Sequence, residues 1–349
     1  MAGGSSDMSA YDNALQQLRS EPLRWLVTGA GGFIGSNLVE ALLRAGQSVV
    51  GLDNFSSGQR DNCRHVLDAC GAGAGKQFKL LEGDIRSYDT CREACRDVDV
   101  VLHEAAQVSV PASLEDPVTT HEINVTGFLN VLRAARDGKV RRVIYASSCA
   151  IYGDSTRLPL TEEQPARPLS PYAASKLANE AYAASFSASY GMEIVGLRYF
   201  NVFGPRQDPH GAYAAVIPLW TAAMIQNKPV RIFGDGSTTR DFCHVANVVQ
   251  ANLLAATATL DASLHEVFNV AVNGRTSLGE LFEMLRVALL PDCPHLKDFR
   301  AIHEDFRPGD IRQSQADISK ARRLLGYVPT HPVARGLQET LAWYKNTPP

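Results

Sequence analysis

The chain has no apolar run reaching the roughly 18 residues of a membrane span, and almost no charge imbalance. Lys and Arg number 34 against 37 Asp and Glu, a formal net charge of −3. That balance excludes a membrane-spanning class and gives no basic surface for nucleic acid. Zinc-like cysteine spacing is missing too. Seven cysteines are an odd number; Cys91 and Cys95 share a helix face, but no Cys or His follows at a ligand interval. Reduced thiols in a cytoplasmic protein, with no metal, are the expectation. Met1–Asp7 lacks both the charged and the apolar region of a signal peptide and reads as a leader ahead of Met8. What is present is ordinary globular composition: 45% hydrophobic residues over 349 positions, enough for two lobes.

Residues 8–19 read as a short amphipathic helix. Buried-strand patterns follow at 24–28, 48–53, 77–81, 97–103, 141–146 and 193–198, with helices at 33–44, from Pro117 to near Gly138, and from Ser170 to about Tyr190. Strands alternating with helices predict an α/β fold, a parallel sheet covered on both faces. Beyond Gly204-Pro205 the pattern loosens into Pro, Gly and short elements. The expected division is 1–20 leader and helix, 21–204 nucleotide lobe, and 205–349 a smaller mixed α/β lobe whose segments cross back.

Thr28-Gly29-Ala-Gly-Gly32-Phe33-Ile34-Gly35 follows a strand and opens a helix, the setting a dinucleotide loop requires. Gly29 permits the turn, Gly32 lets backbone approach a pyrophosphate, and Gly35 allows close helix–strand packing. Asp53 ends the next strand near the ~20-residue interval of a ribose carboxylate, and a carboxylate there favours NAD over its 2′-phosphate. Asp84, after the third strand, reads equally as an adenine contact or a turn aspartate. Tyr172 and Lys176 lie one helical turn apart, so the ammonium can sit beside the phenol. Ser170 suits the cap of that helix and Pro171 its first turn.

Taken together these motifs resemble the extended short-chain dehydrogenase/reductase superfamily. Ser147-Ser148 before Ile151-Tyr152-Gly153, Arg198-Tyr199-Phe-Asn201-Val-Phe-Gly-Pro205 and Gly234-Asp-Gly-x-x-x-Arg240-Asp241-Phe-x-His244 narrow the resemblance to its NAD-dependent nucleotide-sugar epimerase/dehydratase family, over about residues 22–345. The runs Arg206–Pro209 and Gly211–Pro218 are similar to bacterial UDP-N-acetylglucosamine 4-epimerases that serve O-antigen lipopolysaccharide.

The resemblance implies a Rossmann-type doubly wound sheet with a smaller C-terminal substrate lobe. NAD would be held by Gly29, Gly32, Phe33, Ile34, Gly35, Asp53, Asn54, Asp84, Ile85, Ala105, Ala106, Asn124, Tyr172, Lys176 and Tyr199. Tyr172 is the implied base, Ser148 the hydrogen-bond donor to the reacting oxygen, and Lys176 the ribose contact that lowers the Tyr172 pKa. The UDP-sugar would be met by Ser148, Tyr172, Asn201, Ala215, Val216, Arg231, Phe233, Arg240, Arg307, Asp310 and Ser314. A homodimer is implied too, through a four-helix bundle built from the helices near 117–137 and 170–190.

Dehydratases and decarboxylases of the family carry an acid just after the serine, where this chain has Cys149 and Ala150. Cys149 is also one residue out of register for the catalytic cysteine of 3,5-epimerases, and is expected to be packing or pocket lining. The reading is therefore C4 epimerisation of UDP-N-acetylhexosamines, with dehydratase or decarboxylase as the alternative and a silent NAD-binding scaffold as a rival. Ser314 stands where galactose-type enzymes often have Tyr, which leaves room for an N-acetyl group. Val108 and Ala112 replace a family Lys and Arg, and leave the uronic-acid forms open.

Overall fold

The computed structural model describes residues 8–209, 214–261, 265–306 and 311–346. Seven strands form its central sheet: β1 (Arg24–Thr28), β2 (Ser48–Asp53), β3 (Phe78–Glu82), β4 (Val100–His103), β5 (Arg142–Ser148), β6 (Glu193–Tyr199) and β7 (Glu266–Val270). Their order is β7-β6-β5-β4-β1-β2-β3, and every neighbouring pair is parallel. β5 is buried along its whole length, as a continuous apolar run buried on both faces must be. The order reverses between β1 and β4. In such a Rossmann-type sheet a crevice opens there, beyond the carboxyl ends of the strands.

Five helices position the site: α1 (Ala10–Ser20), α2 (Phe33–Arg44), α3 (Gly127–Asp137), α4 (Pro171–Tyr190) and α5 (Val245–Thr257). On one face α1, α2 and α5 close over Trp25, Val27, Ile144 and Phe268. On the other, Phe128 and Val131 of α3 and Ala183 and Phe186 of α4 cover Leu26, Val101, Val143 and Ile194. A third core gathers Trp220, Phe242, Phe282, Leu285 and Leu341 in the C-terminal part. α5 and β7 come from beyond residue 205, yet both belong to the large sheet. α5 is buried almost all round, as its position against the sheet and α1 demands. The start of α1 is set by a capping box, with Ser9 and Asp12 each accepting the other's backbone N–H.

One predicted helix is broken. Instead of a single helix from Pro117 to Gly138, the chain forms Pro117–His121, a π turn over Glu122–Thr126, and then α3. The reason lies in Asn124, which is buried in that turn. Its Oδ1 accepts the Gln107 N–H at 2.8 Å, while Nδ2 donates to the Gln107 carbonyl at 2.9 Å and Ser175 Oγ at 3.0 Å. Widening the turn by one residue trades a helical register for three bonds that tie the loop after β4 to α4.

The glycine loop leaves the least room. A Cβ on Gly35 would stand 2.0 Å from the Gly29 carbonyl oxygen. Gly35→Ala should therefore cost about 1–3 kcal/mol through forced backbone movement. Urea unfolding of the intact chain measures this, and an unchanged midpoint would show that the loop yields freely.

Candidate active site

The crevice is built first from absence of side chains. After β1 the chain turns at Gly29, with φ +70°, so close to the next segment that a Cβ would meet Ala105 N at 2.9 Å. Gly32 caps α2 with no side-chain acceptor, leaving the first-turn amides around Phe33 and Ile34 available to an anion. Asp53 is buried at the end of β2 and accepts the Gly31 N–H at 2.8 Å and the Phe55 N–H at 2.7 Å. The same carboxylate thus braces the glycine loop from the end of β2. Ala105 donates its N–H to Thr28 Oγ1 at 3.2 Å, joining β4 to β1 across the reversal, with Ala106 next in the loop. A glycine cradle, an uncapped helix start and a buried carboxylate together fit a dinucleotide.

Asp84 is engaged already. Asn54 donates to it at 2.9 Å and Arg86 at 2.8 Å; the guanidinium holds its carboxyl down to about 2. Ile85 is buried against α3, where it fills the space a Cβ on Gly127 would need.

Three side chains of the sequence reading meet at the carboxyl end of β5. Ser148 Oγ accepts the Ala150 N–H at 3.1 Å, capping the turn Cys149–Tyr152, and lies close enough to Tyr172 to act on its phenol. Tyr172 stands in the first turn of α4, whose start is capped by Ser170 with Pro171 next, as the sequence predicts. Lys176 is buried; its ammonium donates to the Ala146 carbonyl at 2.9 Å and lies 5.9 Å from the Tyr172 ring centre.

The expectation is that Lys176 together with an oxidised nicotinamide ring lowers the Tyr172 pKa; among the protein's own groups, burial pushes the phenol up to about 12, and Ser148 acts against it. Burial likewise brings Lys176 down to about 8, against the charge of Glu104. The ammonium is committed to the Ala146 carbonyl, so desolvation of the phenol wins. Such a phenol becomes a base near neutral pH only when a further positive charge stands beside it.

A second cavity adjoins Ser148. Its lining includes Cys149, Gly153, Leu160, Asn201, Arg240, Gln313 and Ser314. Ser314 is buried, and Asn201 Nδ2 reaches its Oγ at 3.4 Å and the Asp241 carbonyl at 3.2 Å. Cys149 lines this cavity; burial pushes its thiol up to about 11, so it is neutral near pH 7 and unsuited to acid–base work. Arg240 donates to the Thr239 carbonyl at 3.0 Å. Ala215 caps the helix Val216–Ile225, and Arg231 pairs with Glu304 where the strands Arg231–Phe233 and Ile302–Glu304 meet. These uridine candidates stand outside the lining of that cavity. Arg307 and Asp310, like residues 210–213, lie outside the described residues.

Sequence reasoning missed two acids. Asp241 is fully buried and accepts the N–H groups of Val272, Gly274 and Ala316 at 3.1, 3.2 and 3.1 Å, so it hangs the Ser314 wall on the loop after β7. Its place in Arg240-Asp241-Phe242 was the available signal. Glu104 follows β4 directly, and Tyr199 donates to its Oε1 at 2.8 Å. A carboxylate closing an apolar strand beside the glycine loop was the cue. Elsewhere His244, His331 and Glu339 bring potential ligand atoms within 4.8 Å; His331 already pairs with Glu339 at 3.2 Å, and His244 Nδ1 accepts the Ala246 N–H.

Comparison with known proteins agrees with this geometry. The model of the NAD dependent epimerase/dehydratase family matches residues 25–271. The chain is similar to a UDP-glucose 4-epimerase of Mycolicibacterium smegmatis, 38% identical over 93% of this chain and 99% of that one. Among solved structures, it is similar to a UDP-N-acetylglucosamine 4-epimerase from Methanobrevibacter ruminantium M1 in complex with UDP-N-acetylmuramic acid, with TM-score 0.85 and 35% identity over 93% of this chain and 99% of that one. It is similar also to the Thermus thermophilus UDP-glucose 4-epimerase in complex with NAD, with TM-score 0.80 and 34% identity over 93% of this chain and 99% of that one.

Proposed function

The chain belongs to the NAD-dependent epimerase/dehydratase family, and from that membership we propose that it interconverts UDP-N-acetylhexosamines at C4, UDP-GlcNAc with UDP-GalNAc, through a 4-keto sugar. The observation that carries this reading is the set Ser148, Tyr172 and Lys176 with no acid at the two positions that follow Ser148. Cys149 is a protonated thiol and Ala150 has no acid, so nothing beside Ser148 drives elimination. The ketone can only be reduced again, on either face.

Bound NAD supplies the hydride acceptor and donor at C4. The glycine loop from Gly29 to Gly35 and Asp53 would hold it, with Asn54, Asp84, Ile85, Ala105, Ala106, Asn124 and Tyr199 along the crevice. Tyr172 takes the proton from the C4 hydroxyl and returns it, and Ser148 steadies that oxygen. Lys176, held on Ala146, fixes the ribose end and keeps a positive charge near the phenolate. Arg240 and Arg307 would anchor the diphosphate in a fork of donors, with Ala215, Val216, Arg231, Phe233 and Asp310 around the nucleoside. Asn201 and Ser314 would meet the sugar, and the small, buried Ser314 supports room for an N-acetyl group.

A homodimer belongs to the same reading. The short helices Val110–Glu115 and Pro117–His121 pack beside α4 and expose Leu114 at 63% and Val118 at 66%, with Tyr182 of α4 exposed at 40%. Apolar side chains so exposed on adjacent helices support a bundle with a second copy. No helix among the described residues is long and apolar enough to cross a membrane.

Three outcomes test these assignments. Tyr172→Phe should leave UDP affinity within about twofold and cut turnover by roughly 10³ or more, on the scale of a lost general base; wild-type rates would remove Tyr172 as the base. NMR of UDP-GlcNAc incubated with the holoenzyme should show an isobaric C4 epimer, and Ser314→Tyr should depress that reaction about tenfold more than the reaction of UDP-glucose, the scale of a steric clash in a pocket. Equal losses on both substrates would refute the pocket. Light scattering of the intact chain should give twice the monomer mass, and Val118→Asp should shift it to monomer; a monomeric wild type would exclude the dimer.

A further inference from the structure

Glu104 has no part in the scheme above, yet it stands between both halves of the crevice. Its N–H donates to the Thr28 carbonyl at 3.3 Å, and its backbone carbon lies 3.1 Å from where a Gly29 Cβ would be. Across the sheet His103 of β4 pairs with Tyr145 of β5, so Glu104 runs beside Ala146, the residue whose carbonyl holds the Lys176 ammonium. Tyr199 reaches over β5 from β6 to donate to Glu104 Oε1 at 2.8 Å, and Asn252 of α5 donates to the Tyr199 oxygen at 2.8 Å from the opposite face. A half-buried acid held by a two-step clamp of hydrogen bonds is fixed in direction instead of turning freely to solvent.

We propose that Glu104 is a positioning residue for the Ser148–Tyr172–Lys176 site: its carboxylate, clamped by Tyr199 and Asn252, is the counter-charge that keeps Lys176 an ammonium at working pH. The proposal rests on the epimerase reading and gives it a pH dependence. Facing Glu104 are Lys176 and Tyr172 from α4, Tyr199 from β6, the uncharged Asn252 amide from α5, and its own neighbour His103 on β4. Burial holds His103 neutral down to about 3 and raises the Tyr199 phenol well above its usual range. Lys176 is therefore the cation it answers. Burial pushes Glu104 up to about 7, against the Tyr199 hydrogen bond and the Lys176 charge. Lys176 stands at about 8 and is raised by Glu104 in return. The fraction with both groups charged is greatest between these values; falling pH neutralises the acid and rising pH the amine.

The test compares wild-type holoenzyme with Glu104→Gln, which still accepts from Tyr199, and with Tyr199→Phe, which removes the clamp. For kcat on UDP-GlcNAc against pH, the wild type should be bell-shaped. Glu104→Gln should lose the acid limb and bring the alkaline limb down by about one unit, while Tyr199→Phe should move the acid limb up. A Glu104→Gln profile merely scaled down, with both limbs in place, would overturn the proposal. A second readout needs no substrate: the ratio of NAD+ to NADH affinity, by titration of the stripped and refilled protein. The oxidised cofactor carries one more positive charge, so the wild-type ratio should rise severalfold through pH 7 and the Gln ratio stay flat. Were no UDP-sugar turned over, the function would fail, while this ratio would still decide Glu104.

Discussion

With only hydrogen at Gly35, α2 can lie against the Gly29 carbonyl, and that contact sets everything around the crevice. It brings the start of α2 to the end of β1 and leaves its first amides uncapped. It also lets the loop after β4 close onto Gly29 from the other side. Asp53 then braces the loop at two points, through Gly31 and Phe55. Any side chain at Gly29 or Gly35 would push β1, β4 and α2 apart together.

Around this frame the chemistry is governed by dehydration. Lys176 is buried, Tyr172 and Glu104 are half-buried, and each is displaced toward its uncharged form. The arrangement compensates with short fixed bonds: Lys176 to Ala146 and Glu104 to Tyr199. Two faces of the sheet contribute, because α4 brings the lysine and α5, through Asn252 and Tyr199, steadies the acid. A site so dry amplifies each added charge, and a redox cofactor that gains and loses one on every cycle makes use of that.

Local features were legible in the sequence. The glycine loop, Asp53, the Ser170–Pro171 start of α4 and the Tyr172–Lys176 spacing are written within a few residues of each other, and the chain folds there as its local chemistry directs. Features that depend on distant neighbours were not. The π turn at Asn124 follows from Gln107 and Ser175, which are remote in sequence. Asp241 collects amides from two separate loops, and Glu104 gains its character from β6 and α5. The burial that acts on Tyr172 was hidden for the same reason, since proximity of Lys176 can be read from spacing and burial cannot.

The return of the chain to its first sheet has a consequence for birth on the ribosome. β6 is complete once Tyr199 emerges, but its outer neighbour β7 is not made until Val270, after much of the second lobe has been synthesised. Until then the nascent sheet carries an open, apolar strand edge, the kind that recruits strands from other chains. The α5 face is bare over the same interval. Vectorial synthesis thus completes this sheet only when residues 245–270 arrive, so one of its edges is covered late.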